Sequence, residues 1–154
     1  MADRAGGPAE LSYDPYADLA HRYPDWVVVA ADLGGLVPEV LSVARRVVLL
    51  EREQSQAGLR CSLAHAVAHL DLGHAHTIAG FFESREEADA DALAAVRLIP
   101  LSALAGALSW TRDRTELASE LHVDAQMLRA RERDLSRVER RALARGVRRL
   151  AATA

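Results

Sequence analysis

The sequence predicts an α+β fold that is mostly helical, with a small sheet near the start of the chain and a helical C-terminal part. Two apolar runs rich in valine and leucine, at 26–30 and 47–50, predict buried strands because such side chains pack well on a sheet. The rest of the chain carries repeated helix-start signals, in which a Ser or Asp precedes an apolar pattern of helical spacing. With 154 residues, the chain can bury one hydrophobic core.

The first elements are bounded by proline. Residues 1–12 are rich in Gly, Ala and Pro, and we expect them to be disordered. Asp14, followed by a proline, predicts the start of a helix that runs to about Arg22. The stretch 37–43 between the two strands is ambiguous, because Pro38 is compatible with an edge strand but not with a central one.

Further helices follow from their capping residues. Ser55 predicts the start of a helix that ends at Gly73, a residue type common just past helix ends. The next helix begins with a predicted capping box of Ser84 and Glu87, and it stops before Pro100. The C-terminal helices are predicted at about 102–109, 116–121, 124–135 and from 137 onward.

Composition is that of an ordinary globular protein. Half of the residues are hydrophobic, 27% are charged, and the formal net charge is −3. No apolar run approaches the roughly 20 residues of a membrane span, and the first residues lack a secretion signal, so we expect a cytoplasmic protein that does not contact a membrane. The single cysteine, Cys61, excludes an internal disulfide and fits a reducing compartment.

Charge is unevenly distributed along the chain. Residues 1–109 hold eight arginines and fifteen acidic residues, whereas residues 110–154 hold eleven arginines and seven acidic residues. The helix pair within 116–135 also has helix-turn-helix spacing, which suggests a regulator that binds DNA or another protein as an alternative function. Acidic residues interrupt the arginines, however, so we expect a packed helical hairpin and no direct nucleic-acid binding.

The most informative stretch holds two histidines four residues apart, His65 and His69. On a helix, residues at this spacing lie about 6 Å apart along the axis and on one face, so both imidazoles can bind one metal ion. The stretch reads H-A-x-x-H where zinc peptidases carry H-E-x-x-H, whose glutamate acts as the general base. Ala66 stands at the position of that glutamate. The metal-binding half of the motif is present and the catalytic half is absent.

A zinc site of this kind needs a third ligand from elsewhere in the chain. The acidic start of the following helix offers candidates, but carboxylates there also stabilise the positive end of the helix dipole. Composition alone leaves both interpretations open. Cys61 is excluded as a ligand of the ion that His69 would bind, because the two residues lie about 12 Å apart along the helix axis. The candidates are Glu83, Glu86, Glu87, Asp89 and Asp91.

Together these stretches resemble the ImmA/IrrE family of metallopeptidases. The first reads R-C-S-L-A-H-A-V-A-H-L-D-L-G-H at 60–74; the second reads E-E-A-D-A-D-A-L-A at 86–94 and is followed by L-I-P. The family shows R-x-x-L-A-H-E-x-x-H-x-x-L-G-H, then an E-A-[DN]-x-[FL]-A helix that ends in L-[MI]-P. The resemblance covers roughly residues 13–135 and implies a zincin-like fold of the minimal gluzincin type. It implies a metal-binding domain at 13–100, with a helical subdomain at 101–154 packed on it.

The resemblance also implies how Zn²⁺ would be bound. His65 and His69 would be two ligands, and the family's liganding glutamate falls eleven positions before Pro100, on Asp89. Aspartate is one methylene shorter than glutamate, so the second helix would have to approach more closely or bind the metal more weakly.

Other acidic residues remain as alternatives. A shift of register brings in Glu86, one turn before Asp89 on the same face, and Glu87 is a further alternative to the aspartate. Asp91 and His74 are expected to contact the liganding imidazoles rather than the metal itself.

Ala66 bears directly on function, because general acid–base catalysis contributes about 10²–10⁴-fold to a rate. The resemblance implies a zinc metalloendopeptidase lineage that acts on a helix-turn-helix transcriptional repressor, often encoded beside it in phages and mobile elements. Without the glutamate we expect little or no peptidase activity, which would make the chain a pseudo-enzyme. The sequence leaves open whether the alanine is natural or an engineered Glu→Ala replacement.

Overall fold

The computed structural model describes residues 13–74 and 84–153. Within these residues the chain forms seven helices and one three-stranded sheet, which confirms the predicted α+β class. The stretch 1–12 and the candidate ligand Glu83 lie outside the described residues. In chain order the elements are α1 (Pro15–Arg22), β1 (Val27–Ala31), β2 (Glu39–Ser42), β3 (Val47–Glu51), α2 (Gln56–Asp71), α3 (Ser84–Leu98), α4 (Leu101–Trp110), α5 (Arg114–Glu120), α6 (Ala125–Arg133) and α7 (Arg137–Ala151).

The sheet has the strand order β1-β3-β2. The central strand β3 pairs in parallel with β1, with Val47 opposite Val27, and antiparallel with β2, with Leu50 opposite Glu39. Both predicted strands are therefore present. The ambiguous stretch between them forms a strand at the edge of the sheet, the location that Pro38 permits.

At α1 and α2, capping residues set the helix starts where the sequence predicts them. The carboxylate of Asp14 accepts a hydrogen bond from the backbone N–H of Tyr16, and Oγ of Ser55 accepts one from the N–H of Gly58. Gly73 follows the end of α2 with φ at 66°, a conformation that favours glycine. Because α2 runs unbroken between these signals, the spacing of its histidines is helical throughout.

Two apolar clusters hold α2 in place. The smaller cluster joins the sheet to α2, with Leu41 and Val48 from the strands and Leu63 and Val67 from the helix. The larger cluster joins α2 to α3 and to the C-terminal helices. Where α2 and α3 face each other the side chains are small, so the two backbones approach closely. These small residues are Ala64, Ala68, Ala90, Ala94 and Ala95.

Helices α5 and α6 form the packed hairpin that the sequence favours. Leu117, Leu121, Val123 and Leu128 are each less than 10% exposed and belong to the larger cluster. The hairpin therefore shares its core with the helices that carry the site.

None of the described helices is by itself long and apolar enough to cross a membrane. Only α3 and α4 together, across a bend of 71°, reach that length and composition.

A buried arginine ties α6 to the start of α7. Arg131 is 2% exposed, donates from Nε to the carbonyl oxygen of Ile99 at 2.9 Å, and pairs through Nη2 with Oε1 of Glu139 at 2.9 Å. Glu139 also forms a capping box with Ser136 at the start of α7. The backbone N–H of Ser136 and then Arg131 lower the pKa of Glu139 to about 2.

We expect Glu139→Gln to lower the free energy of unfolding by about 1–3 kcal/mol at neutral pH, because it weakens the partner of a buried guanidinium. Since folding lowers the pKa of Glu139, its stabilisation is complete above the ordinary value of 4.5 and is lost as the pH falls toward 2. Urea unfolding of both proteins at neutral and at acid pH measures the effect. The difference between the proteins shrinks in acid; an equal difference at both pH values would contradict this prediction.

Candidate metal centre

Helix α2 presents His65 and His69 to a cavity of about 760 Å³ beside the sheet. His65 is 7% exposed and His69 is 1% exposed, and their Nε2 atoms lie 2.8 Å apart. Four residues make slightly more than one helical turn, so the two rings project from one face of the helix. The pair therefore directs two imidazole nitrogens toward one point.

The third group at this point comes from α3. Glu87 places Oε2 3.2 Å from Nε2 of His65, and Oε1 3.5 Å from Nε2 of His69. Among the described residues, these three side chains are the one group whose possible ligand atoms lie within 4.8 Å of one another. The sequence analysis treats Glu87 as an alternative ligand and as half of a capping box with Ser84. In the structure both of its carboxylate oxygens face the histidines.

Asp89, the residue favoured by the count from Pro100, does not join this group. Asp89 and Glu87 are both exposed, the side chain of Glu87 to 48%, but at about 100° per residue Asp89 lies about 200° around α3 from Glu87. Glu86 lies about 100° from Glu87 and is outside the group as well. The geometry therefore favours Glu87 in place of Asp89. The four-residue spacing of Glu87 and Asp91 puts both on the face toward α2, but spacing alone does not separate this pair from Glu86 and Asp89, which are three residues apart.

The second ring nitrogen of each histidine is also held. Nδ1 of His65 lies 2.9 Å from Oδ1 of Asp91, and Nδ1 of His69 lies 2.8 Å from Nδ1 of His74. An ionised carboxylate can only accept hydrogen bonds, so a neutral His65 donates from Nδ1 and keeps the lone pair of Nε2 for a metal. Contacts of this kind fix the orientation of a liganding imidazole. Asp91 and His74 touch the rings and are not members of the three-residue group.

A further carboxylate, which the sequence analysis does not identify, reaches the site from the sheet. Glu39, the first residue of β2, places Oε1 3.9 Å from Nε2 of His65, and its side chain is 15% exposed. Burial raises the pKa of Glu39 to about 7, although the nearby His65 opposes this change. The sequence does not indicate this role of Glu39, because the residue pattern of 37–43 does not show which face of the strand packs against α2.

The electrostatics of the site favour positive charge. Burial alone would lower the pKa of His65, but hydrogen bonds to Asp91 and Glu87 and the charge of Glu39 outweigh burial and raise that pKa to about 10. The hydrogen bond to His65 in turn lowers the pKa of Glu87. None of the described residues that line the cavity is an arginine, and the chain contains no lysine. A divalent cation would supply the charge that these carboxylates lack.

The donor set also fits a specific metal. Two imidazole nitrogens and one carboxylate oxygen are a combination that zinc uses in proteins. Ala66 lines the same cavity, is 1% exposed, and carries no group that accepts a proton. The arrangement can therefore hold a metal ion, and α2 offers no general base beside the first histidine.

Comparison with known proteins gives the family of the chain. Residues 14–140 match the family model described as Peptidase_M78, the IrrE N-terminal-like domain. The chain belongs to the M78 family. The match runs from α1 into α7 and includes both helices of the site, which confirms the resemblance that the motifs indicate and the zincin-like α+β fold. No curated protein and no solved structure matches the chain. As an M78 member the protein is metallopeptidase-like, and its His-His-Glu group is a possible metal site.

In this M78 protein we expect Asp91→Asn to weaken zinc binding about 10–100-fold, because it removes the carboxylate that orients the His65 ring. Competition with a chromophoric chelator measures the Kd. Asp25→Asn makes the same chemical change on a side chain that is 74% exposed in a surface ion pair, so its Kd stays at the wild-type value. An unchanged Kd for Asp91→Asn would show that this contact does not act on the metal.

Proposed function

We propose that this M78 protein is a zinc-binding pseudo-peptidase that regulates a helix-turn-helix transcriptional repressor by binding it. The observation that carries the proposal is the convergence of His65, His69 and Glu87 on one point of a cavity, in a chain of a metallopeptidase family. These three side chains would hold the zinc ion.

The proposed inactivity follows from Ala66. Bound zinc lowers the pKa of a coordinated water and polarises a peptide carbonyl, but a base must still take the proton of the water. Alanine cannot do so. Asp71 at the end of α2 is no substitute, because Arg22, Tyr23 and Arg97 hold its carboxylate.

A protein partner is supported by the shape of the cavity. Beside the metal group its lining is mostly apolar and includes Leu33, Val37 and Met127, with Asp124 and Gln126 among the polar residues. Leu36 at the same cavity is 88% exposed, and β2 runs along it at the edge of the sheet. An apolar groove beside an edge strand suits an extended segment of another protein. The choice of a repressor as this partner rests on the family resemblance.

The alternative, a DNA-binding regulator, gains little from the helical hairpin. On α6, Arg131 is buried, and Arg133 pairs with Asp134 at 2.8 Å. Arg114 on α5 pairs with Glu132. Arginines neutralised in this way have little charge left for phosphate groups.

The proposal is tested by elemental analysis of the purified protein, followed by incubation with a repressor encoded beside its gene. We expect about one zinc ion per chain, a complex that elutes together in gel filtration, and a repressor of unchanged mass. Absence of zinc would overturn the metal site. Cleavage of the repressor by the unaltered chain would overturn the proposed inactivity, and separate elution would overturn the choice of partner.

A further inference from the structure

We propose that Glu39 is a fourth protein ligand of the metal, so that the sheet closes the coordination sphere that α2 and α3 begin. This inference rests on the proposed zinc site. It would make the centre a closed, structural His₂Glu₂ site rather than an open, catalytic one, since catalytic zinc keeps a position for water whereas structural zinc has four protein ligands.

The first argument is the position of Glu39 on the strand. Side chains two residues apart on a strand point to the same face, and Leu41 on β2 belongs to the apolar cluster against α2. Glu39 therefore points to that face as well, where it lines the same cavity as the two histidines. Its pairing with Leu50 of the central strand fixes its backbone at this place.

Glu39 is also a mostly buried carboxylate whose partners among the described residues are few, namely Ser62 and His65. A buried carboxylate is costly unless it is paired with a cation or fully hydrogen-bonded. A hydrogen bond to Ser62 opposes the rise in the pKa of Glu39, but Ser62 has a single hydroxyl proton and also lies 2.9 Å from Oε1 of Gln54, to which it donates. The described lining of the cavity holds no arginine and the chain no lysine, so the cations within reach of Glu39 are the imidazolium of His65, 3.9 Å away, and a metal bound beside it.

The distance between the carboxylate of Glu39 and the ring of His65 is also close to that of two ligands on one metal ion. Two atoms bound to one zinc ion at about 2.0–2.1 Å in a tetrahedron lie about 3.3–3.4 Å apart. Oε1 of Glu39 is 3.9 Å from Nε2 of His65, against 3.2 Å for the nearer oxygen of Glu87. Glu39 is not in the group whose ligand atoms all lie within 4.8 Å of one another, so its carboxylate would have to move toward the metal, by about 0.6 Å relative to His65, through rotation about its side-chain torsions. The strand-borne carboxylate is thus within reach of the ion that the histidines would hold.

A closed sphere also accounts for the alanine on α2. The general base of a zinc peptidase is needed only where a metal-bound water attacks a substrate. If Glu39 fills that position, no such water is present, and a glutamate at position 66 would have no proton to accept. Ala66 in the place of a general base and Glu39 in the place of a metal-bound water would then have one cause, a metal whose coordination sphere is closed.

The test uses the full chain loaded with Zn²⁺ or Co²⁺ and compares Glu39→Gln and Glu39→Ala with the wild type. Glu53→Gln is the matched control, because it removes the same charge from an exposed side chain just after β3. We expect both Glu39 variants to bind Zn²⁺ at least about tenfold more weakly in chelator competition. We also expect added azide to change the visible absorption spectrum of their Co²⁺ forms, because a position is open, and to leave the wild-type and Glu53→Gln spectra unchanged.

Unfolding in the presence of a chelator checks that the variants fold without metal. Unchanged zinc affinity in the Glu39 variants, or an azide response in the wild type, would overturn the inference while leaving the three-residue site intact. A wild-type chain that binds neither metal would overturn both this inference and the proposed function.

Discussion

Replacing Ala66 by glutamate and Glu39 by glutamine in one chain is expected to raise peptide hydrolysis about 10²–10⁴-fold over the unaltered protein. The first change supplies the missing general base next to His65, in a position that already lines the cavity. The second change frees the position on the metal that a water must occupy. Neither change removes His65, His69 or Glu87, so the group of possible metal ligands stays complete. The measurement is the rate of cleavage of the repressor by the zinc-loaded variant.

The single variants serve as the controls for this experiment. Ala66→Glu alone keeps the fourth position filled, and Glu39→Gln alone lacks a base, so both are expected to stay close to the unaltered rate. The double variant Ala66→Gln with Glu39→Gln carries at position 66 a side chain of the same size as glutamate but without a basic carboxylate. It distinguishes the effect of a general base from the effect of filling the space. A double variant that binds zinc and remains inactive would contradict this prediction. Full activity in Ala66→Glu alone would show that Glu39 leaves the metal open.

His69→Ala is expected to abolish zinc binding, because it removes a ligand from the centre of the cluster. His69 is 1% exposed, and its two ring nitrogens are each 2.8 Å from another histidine, His65 on one side and His74 on the other. A metal present at about 1,000 times its Kd stabilises a folded protein by about 4 kcal/mol. Removing zinc with a chelator therefore lowers the unfolding temperature of the wild type and leaves that of His69→Ala unchanged.

Comparing each protein with and without chelator separates the metal from the cavity that the lost ring leaves in the core, since the cavity affects both measurements equally. His21→Ala, an exposed histidine at the end of α1, is the control and behaves as the wild type does. If His69→Ala kept its zinc and its response to the chelator, the two histidines of α2 would be structural residues only.

Local signals account for the parts of the fold that the sequence predicts well. Asp14, Ser55 and Ser136 each cap the helix that follows them, and a cap depends only on residues within one turn. The pairing of His65 with His69 is of the same kind, because helical spacing alone places both rings on one face. Predicting these features does not require knowing which helices and strands pack against each other.

The third ligand depends on packing between distant segments. Which residue of α3 meets the histidines is set by the rotation of α3 against α2, and that rotation follows from alanines in both helices, such as Ala68 and Ala94. A count along the chain from Pro100 selects Asp89, whereas the packed face carries Glu87. The role of Glu39 is harder still to predict from the sequence, because the position of this residue follows from strand pairing and from the side of the sheet that α2 covers.

The most direct test of the metal centre is the zinc content of three proteins after dialysis: the wild type, Glu87→Gln and Asp89→Asn. The two variants make the same chemical change two residues apart on one helix, on opposite faces. The structure predicts about one zinc ion per chain in the wild type and in Asp89→Asn, and almost none in Glu87→Gln. Zinc retained by Glu87→Gln and lost from Asp89→Asn would contradict the site described here.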